Sequence, residues 1–165
     1  MNDAFIGLGS NLQHPLEQLK QARSLIRMIS DIKEIAFSRF YRSPPMGPQD
    51  QPDYVNAVMH IQCCMSPLNL LHVLQEIEQQ QGRRRTGLRW GARTLDLDLL
   101  LFDEQILDEP ELVVPHPGMK ERSFVLYPLQ DIVMEDFCIP GQGRLADLIE
   151  HCPLNGLEVL DHDRI

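Results

Sequence analysis

The chain has 165 residues, with 15 Lys+Arg against 24 Asp+Glu, so its net charge is −9. At roughly 150 residues per domain, residues 1–165 read as a single domain, large enough to bury about two thirds of its unfolded surface without disulfide staples. The acidic balance argues against a general nucleic-acid binder, and the longest apolar run, Leu99–Phe102, is far short of the ~20 residues of a membrane span. Met1–Phe5 has neither the basic nor the apolar stretch of a secretory leader, and no cysteine sits in a Cys-x-x-Cys pair. A cytoplasmic protein with reduced thiols is expected.

Ala4–Leu8 is short and apolar and runs into Gly9-Ser10, which predicts a strand followed by a turn. Gly7-Leu8-Gly9-Ser10-Asn11-Leu12 lacks the third glycine of a dinucleotide fingerprint and is read as a tight turn. From Pro15, apolar residues recur at Leu16, Leu19, Ala22, Leu25, Ile26 and Ile29, which is helical spacing with proline near the first position. Most of Ile32–Arg42 is rich in β-branched and aromatic residues and reads as one strand. Residues 43–52 hold four prolines and a glycine and cannot be regular. Alternation from Val55 to Cys64 predicts a second long strand. Ser66 then caps a helix that opens on Pro67, buries Leu70, Leu71, Leu74 and Ile77, and stops at Gly82.

A basic loop from Arg83 to Arg93 follows, and Leu95–Phe102 reads as a strand. The tail carries an extended Val113–Pro117 segment, a short helix near Ser123–Leu129 and another near Leu145–His151, ended by Pro153. The order βαββαβ is that of the ferredoxin-like α+β fold. It predicts an antiparallel-rich sheet with two helices on one face and a short α/β C-terminal extension.

Chemistry concentrates in Thr94–Leu100. Strand alternation puts Asp96 and Asp98 on one face and Leu95, Leu97 and Leu99 on the other. The two Cα atoms are then ~6.5 Å apart. Aspartate is depleted in strands and like charges side by side repel, so the pair points to a hard cation rather than to a solvated face. Two carboxylates, with no His or Cys at ligand spacing, suit Mg²⁺, which completes its shell with waters and substrate phosphates. Arg83, Arg84, Arg85, Arg89 and Arg93 precede the pair, and arginine clamps phosphate bidentately. Carboxylates beside phosphate-binding arginines suggest phosphoryl-type transfer. There is no P-loop motif. Tyr54 and Phe124 are rings on which a flat heterocycle could stack, with Asn56 on the same strand face as Tyr54.

The run Arg89-Trp90-Gly91-Ala92-Arg93-Thr94-Leu95-Asp96-Leu97-Asp98-Leu99-Leu100 closely resembles the signature of the 6-hydroxymethyl-7,8-dihydropterin pyrophosphokinase family. Further matches, in the family's order, are Gly7–Leu12, Tyr41–Gly47, Gln51–Ala57, Glu76–Glu78 through Gly82-Arg83, Val114–Met119 and Arg122–Leu129.

The resemblance implies transfer of the β,γ-pyrophosphoryl group of ATP to the hydroxymethyl oxygen of the pterin, leaving AMP. It implies two Mg²⁺ ions on Asp96 and Asp98, and catalytic roles for Arg83, Arg93 and Asp98. The pterin would lie between Tyr54 and Phe124, read by Asn56 and by Ser43, Pro44 and Met46. ATP would contact Gln75, Glu78, Arg85, Trp90, Arg93, Leu99, His116 and Arg122, with Arg83 and Arg85 on a loop that closes over the phosphates. A monomer acting on these two small molecules is expected, with no nucleic-acid or membrane partner. The competing readings are a Mg²⁺-dependent nucleotide hydrolase using the same carboxylates and an RNA-binding module of the RRM type, which shares the topology.

Overall fold

The structure is a computed structural model that describes residues 1–12, 14–45, 51–82 and 95–160. Its elements run β1 (Asn2–Ser10), α1 (Pro15–Arg27), β2 (Ile32–Phe37), β3 (Tyr41–Ser43), β4 (Tyr54–Cys63), α2 (Pro67–Gly82) and β5 (Asp96–Phe102). Short strands β6 (Leu107–Asp108) and β7 (Val113–Val114) lead to α3 (Ser123–Gln130). A closing segment holds β8 (Cys138–Ile139), β9 (Gly143–Arg144), α4 (Leu145–Glu150) and β10 (Glu158–Val159).

The central sheet has the order β10-β3-β4-β1-β5, with β2 pairing the far half of β4, and every pairing is antiparallel. Crossing over through α1 leaves a gap of one strand between β1 and β2, and β4 fills it. This is the expected ferredoxin-like arrangement. Ser66 caps α2 as expected, its Oγ accepting from the Asn69 N–H at 3.2 Å.

One expectation needs correction. The strand foreseen from Ile32 to Arg42 is broken at Ser38–Phe40 into β2 and β3. There the Ser38 hydroxyl replaces a ladder bond, accepting from the Val58 N–H at 2.9 Å while the Ser38 N–H donates to the Val58 carbonyl at 2.9 Å. The two foreseen helices, α1 and α2, share one face of the sheet as expected, and the helices of the C-terminal extension cover the other. The α1 and α2 side is a core of Leu19, Ala22, Ile26, Leu70 and Leu74 against alternate residues of β1, β4 and β5. On the opposite face, Leu126 and Leu129 of α3 and Leu145 of α4 pack on Phe5, Val58, Leu100 and Leu101. A bulge in β5 makes this possible: Leu99 pairs with Ile6 and Leu101 with Phe5, so Leu100 is the extra residue. Leu100 and Leu101 consequently both join the α3-side core.

A four-bond cluster ties α3 to β3. The Asp131 carboxylate accepts from Arg39 Nη2 at 2.9 Å, Arg39 Nε at 3.2 Å, the Arg39 backbone N–H at 3.2 Å and Tyr41 Oη at 2.8 Å. Burial, and then the bond to Asp131, push the Tyr41 phenol up to about 12 from an ordinary value of 10.0. A raised folded-state value means that the folded protein holds the proton more tightly. The stabilisation is therefore complete below pH ~10 and is lost as the pH rises towards ~12. Tyr41→Phe is expected to flatten the alkaline limb of stability between those limits, measured by urea unfolding at stepped pH. An unchanged limb would mean that another group controls it.

Candidate active site

The open end of the α3-side face forms the site. Strand pairing lays out two rows across three strands. Asp96, Gly9 and Asn56 are directly opposite one another, and so are Asp98, Gly7 and Val58. The sequence reading of Gly7–Leu12 as a turn is thus corrected: Gly7 and Gly9 lie within β1, paired on both sides. A Cβ at Gly9 would come 3.2 Å from Asn56 Nδ2, and one at Gly7 would lie 3.4 Å from Leu100 Cδ1. The glycines make a flat floor between the carboxylates and the amide. They are cleft-lining positions that the sequence reading did not include among its candidate site residues. The available signal was glycine inside an apolar strand, which marks close approach of a ligand or another group.

The cleft over this floor has a volume of about 190 Å³ and is lined by Ser43, Pro44, Tyr54, Asn56, Asp96, Asp98, Arg122 and Phe124 as well as the glycines. That is below the ~300–1,000 Å³ of pockets that take drug-sized ligands, and suits one small planar molecule. Ser43, Pro44, Tyr54, Asn56 and Phe124, all foreseen as ring-binding residues, meet here from β3, β4 and α3. Ser43 and Asn56 are buried, and the Ser43 hydroxyl donates to Asn56 Oδ1 at 2.7 Å. That bond fixes the amide plane, with its NH₂ beside the floor glycine. The Arg122 guanidinium stands 5.8 Å from the centre of the Phe124 ring, within cation–π range.

The acidic side is built on β5, an edge strand. Asp96 and Asp98 are partly exposed on the cleft face, while Leu97 and Leu99 between and beyond them are buried in the helix-side core. His116 Nε2 lies 3.9 Å from Asp98 Oδ1, and its Nδ1–H donates to the Pro117 carbonyl at 2.8 Å. A backbone bond from the His116 N–H to the Leu100 carbonyl, 2.9 Å, anchors this segment to the edge of β5. Of the foreseen nucleotide contacts, Gln75 is exposed on α2. The Leu99 side chain is not available to a ligand, being 2 % exposed in the core, so only its backbone faces the edge.

Glu78 accepts from the Leu97 N–H at 2.7 Å, the amide between the two aspartates. It thereby satisfies a donor that the edge strand would otherwise leave open. Glu78→Ala is expected to lower stability by about 1–3 kcal/mol, the cost of stranding such a donor, and Glu78→Gln by less. Thermal melting checks this, and equal melts for the two variants would exclude it. Met46, Arg83, Arg85, Trp90 and Arg93 lie outside the described residues.

Fold and cleft together give a ferredoxin-like domain with a small cleft, lined by two rings and an amide, beside two acidic side chains. Comparison with known proteins makes this specific. The family model for 7,8-dihydro-6-hydroxymethylpterin-pyrophosphokinase (HPPK) matches residues 5–134. The chain is 47 % identical over 156 residues to the 2-amino-4-hydroxy-6-hydroxymethyldihydropteridine pyrophosphokinase of Pseudomonas aeruginosa, spanning 94 % of this chain and 95 % of that one. It is 47 % identical over 150 residues to the enzyme of the same name from Haemophilus influenzae, spanning 91 % and 92 %. The crystal structure of an HPPK-DHPS in complex with substrates superposes with a TM-score of 0.70 at 13 % identity, covering 92 % of this chain and 45 % of that one. A Plasmodium falciparum HPPK-DHPS gives 0.69 at 14 % identity, covering 91 % and 45 %. This chain spans under half of those two-part proteins, and the likeness speaks to the fold.

The chain belongs to the 7,8-dihydro-6-hydroxymethylpterin-pyrophosphokinase family. It is a pyrophosphokinase, an enzyme of folate biosynthesis. No helix among the described residues is long and apolar enough to cross a membrane.

Proposed function

We propose that the chain transfers the β,γ-pyrophosphoryl group of ATP to the hydroxymethyl oxygen of 6-hydroxymethyl-7,8-dihydropterin, giving the pterin diphosphate and AMP. The observation that carries this reading is that the Tyr54–Asn56–Phe124 slot and the Asp96–Asp98 pair line one cleft and share one glycine floor. The pterin ring stacks between Tyr54 and Phe124, and Asn56 and Ser43 read its polar edge, with Pro44 and, as the family resemblance implies, Met46 as further ring-binding residues. The hydroxymethyl arm then points along the floor towards the carboxylates.

Asp96 and Asp98 fit a Mg²⁺ site. They present two carboxylates on one strand face, and Mg²⁺ is typically held by one or two carboxylates, with phosphate oxygens and water in its remaining positions. Bound there, two Mg²⁺ ions would neutralise the phosphate charge and polarise the phosphoryl oxygens. The hydroxymethyl oxygen attacks the β-phosphorus in line, the bond from that phosphorus to the oxygen bridging it to the α-phosphorus breaks, and AMP leaves with that oxygen. An Asp98 carboxylate oxygen accepts the hydroxyl proton.

His116, beside Asp98, and Arg122, over the Phe124 ring, bind the nucleotide phosphates, with Arg83, Arg85 and Arg93 supplying further positive charge and Gln75, Trp90 and the Leu99 backbone bounding the rest of ATP. Glu78 contributes through the Leu97 amide that it holds. The protein acts as a monomer in the cytoplasm. ³¹P NMR with Mg·ATP tests the reading. AMP and a pterin diphosphate formed only when the pterin is present are expected. ADP, or ATP consumption without the pterin, would overturn it.

A further inference from the structure

The chain reverses once more after α4, at Leu154–Leu157. The Leu157 N–H donates to the Leu154 carbonyl at 3.0 Å, and the two central residues, Asn155 and Gly156, both have positive φ, 53° and 87°. That is the signature of a type I′ turn, which favours an Asn-Gly pair. The turn touches the surroundings of the ring slot on two sides, at Ser123 beside Phe124 and at the cleft-lining Pro44. The Ser123 hydroxyl, buried at the N-terminus of α3 and adjacent to Phe124, donates to the Leu154 carbonyl at 3.0 Å. On the other side, Gly156 is packed so close to Pro44 that a Cβ there would lie 3.0 Å from Pro44 Cγ and 3.3 Å from Cδ.

The segment is held at both ends. Tyr127 Oη donates to the Cys152 carbonyl at 3.1 Å, so one flank is fastened to α3. The other flank enters β10, which pairs with β3 at Glu158–Arg42 and Val159–Tyr41. The Leu160 N–H continues this with a 2.9 Å bond to the Phe40 carbonyl. The turn is therefore a rigid block wedged between the end of β3 and the start of α3.

We propose that the Leu154–Leu157 turn is a positioning element that sets the separation of Pro44 and Phe124, and through it the affinity of the slot for the planar ring. This rests on the pterin reading above. Gly156 is favoured twice: its φ is one that side chains with a Cβ rarely adopt, and a Cβ there would need Pro44 to give way by a few tenths of an ångström. Adding a methyl group there drives Pro44 towards the ring or forces the turn away from Ser123. Either shift changes the slot and leaves the Asp96–Asp98 end untouched.

The test is steady-state kinetics on the full chain, with calorimetric titration of the pterin and thermal melting. Gly156→Ala is expected to raise KM and Kd for 6-hydroxymethyl-7,8-dihydropterin by up to about tenfold, because Pro44 must give way by a few tenths of an ångström, with KM for ATP unchanged. Ser123→Ala, which removes the other contact but no backbone constraint, is expected to shift the pterin constants in the same direction, and it decides the matter if Gly156→Ala does not fold. Asn155→Gly keeps the turn and is expected to leave both KM values unaltered. A lower melting temperature with unchanged pterin constants would overturn the proposal, reducing the turn to a stability element. A parallel rise in both KM values would also overturn it, as a sign of general distortion. The wild type is titrated first: if it does not bind the pterin, the functional reading fails and the proposal falls with it, whatever the variants do.

Discussion

Asp98→Ala is expected to lower kcat by about 10³-fold or more, and Asp96→Ala to do the same. Neutralising and polarising a phosphoryl group at such a site is worth several kcal/mol, and each 1.36 kcal/mol is tenfold in rate. The melting temperature should move little. Asp98 is 47 % exposed at its side chain and faces glycine rather than packed atoms, so its removal opens no cavity. Single-turnover kinetics with saturating ATP and pterin separate the chemical step from binding. A rate within tenfold of wild type would remove the carboxylate from the chemistry. Loss of cooperative melting would instead assign it to the fold.

The second large effect falls at Asn56. Asn56→Ala is expected to reduce kcat/KM for the pterin by about 10²–10³-fold while leaving KM for ATP unaltered. Two costs combine. The ring loses the amide that reads its edge, and the buried Ser43 hydroxyl loses the acceptor it holds at 2.7 Å. Each unsatisfied buried group is worth about 1–3 kcal/mol. The double variant Ser43→Ala/Asn56→Ala should lose less than the sum of the single losses, because the second change removes the stranded hydroxyl. Strict additivity would show that the two side chains act independently.

The local elements were legible because each is written in a short-range pattern. The alternation of Val55–Cys63 and the apolar spacing of Leu19, Ala22 and Ile26 depend only on which face of one strand or helix is buried. Asp96 and Asp98 could be paired for the same reason, since the two-residue period of a strand is local. Where the reading failed, the cause was non-local. Ser38 breaks a strand because its hydroxyl finds Val58, twenty residues away, and no propensity records that meeting. Leu100 reads as one more core residue, and only its lack of a partner on β1 makes it a bulge.

The site divides in the same way. The sequence by itself determined its chemical inventory: two carboxylates on one strand face, an aromatic and an amide on another, and the motifs that carry the family resemblance. Only the tertiary structure decided that these meet. Pairing of β1 with both β4 and β5 puts Gly7 and Gly9 between Asn56 and the aspartates, and α3 covers just the far half of that face. It also withdrew the Leu99 side chain into the core, gave Glu78 a backbone amide to hold, and set an Asn-Gly turn against Pro44 and Ser123. The physical reason is range. Periodicity and capping act over a few residues, whereas a cleft is the space that remains when segments distant in the chain have satisfied their own packing and hydrogen bonds.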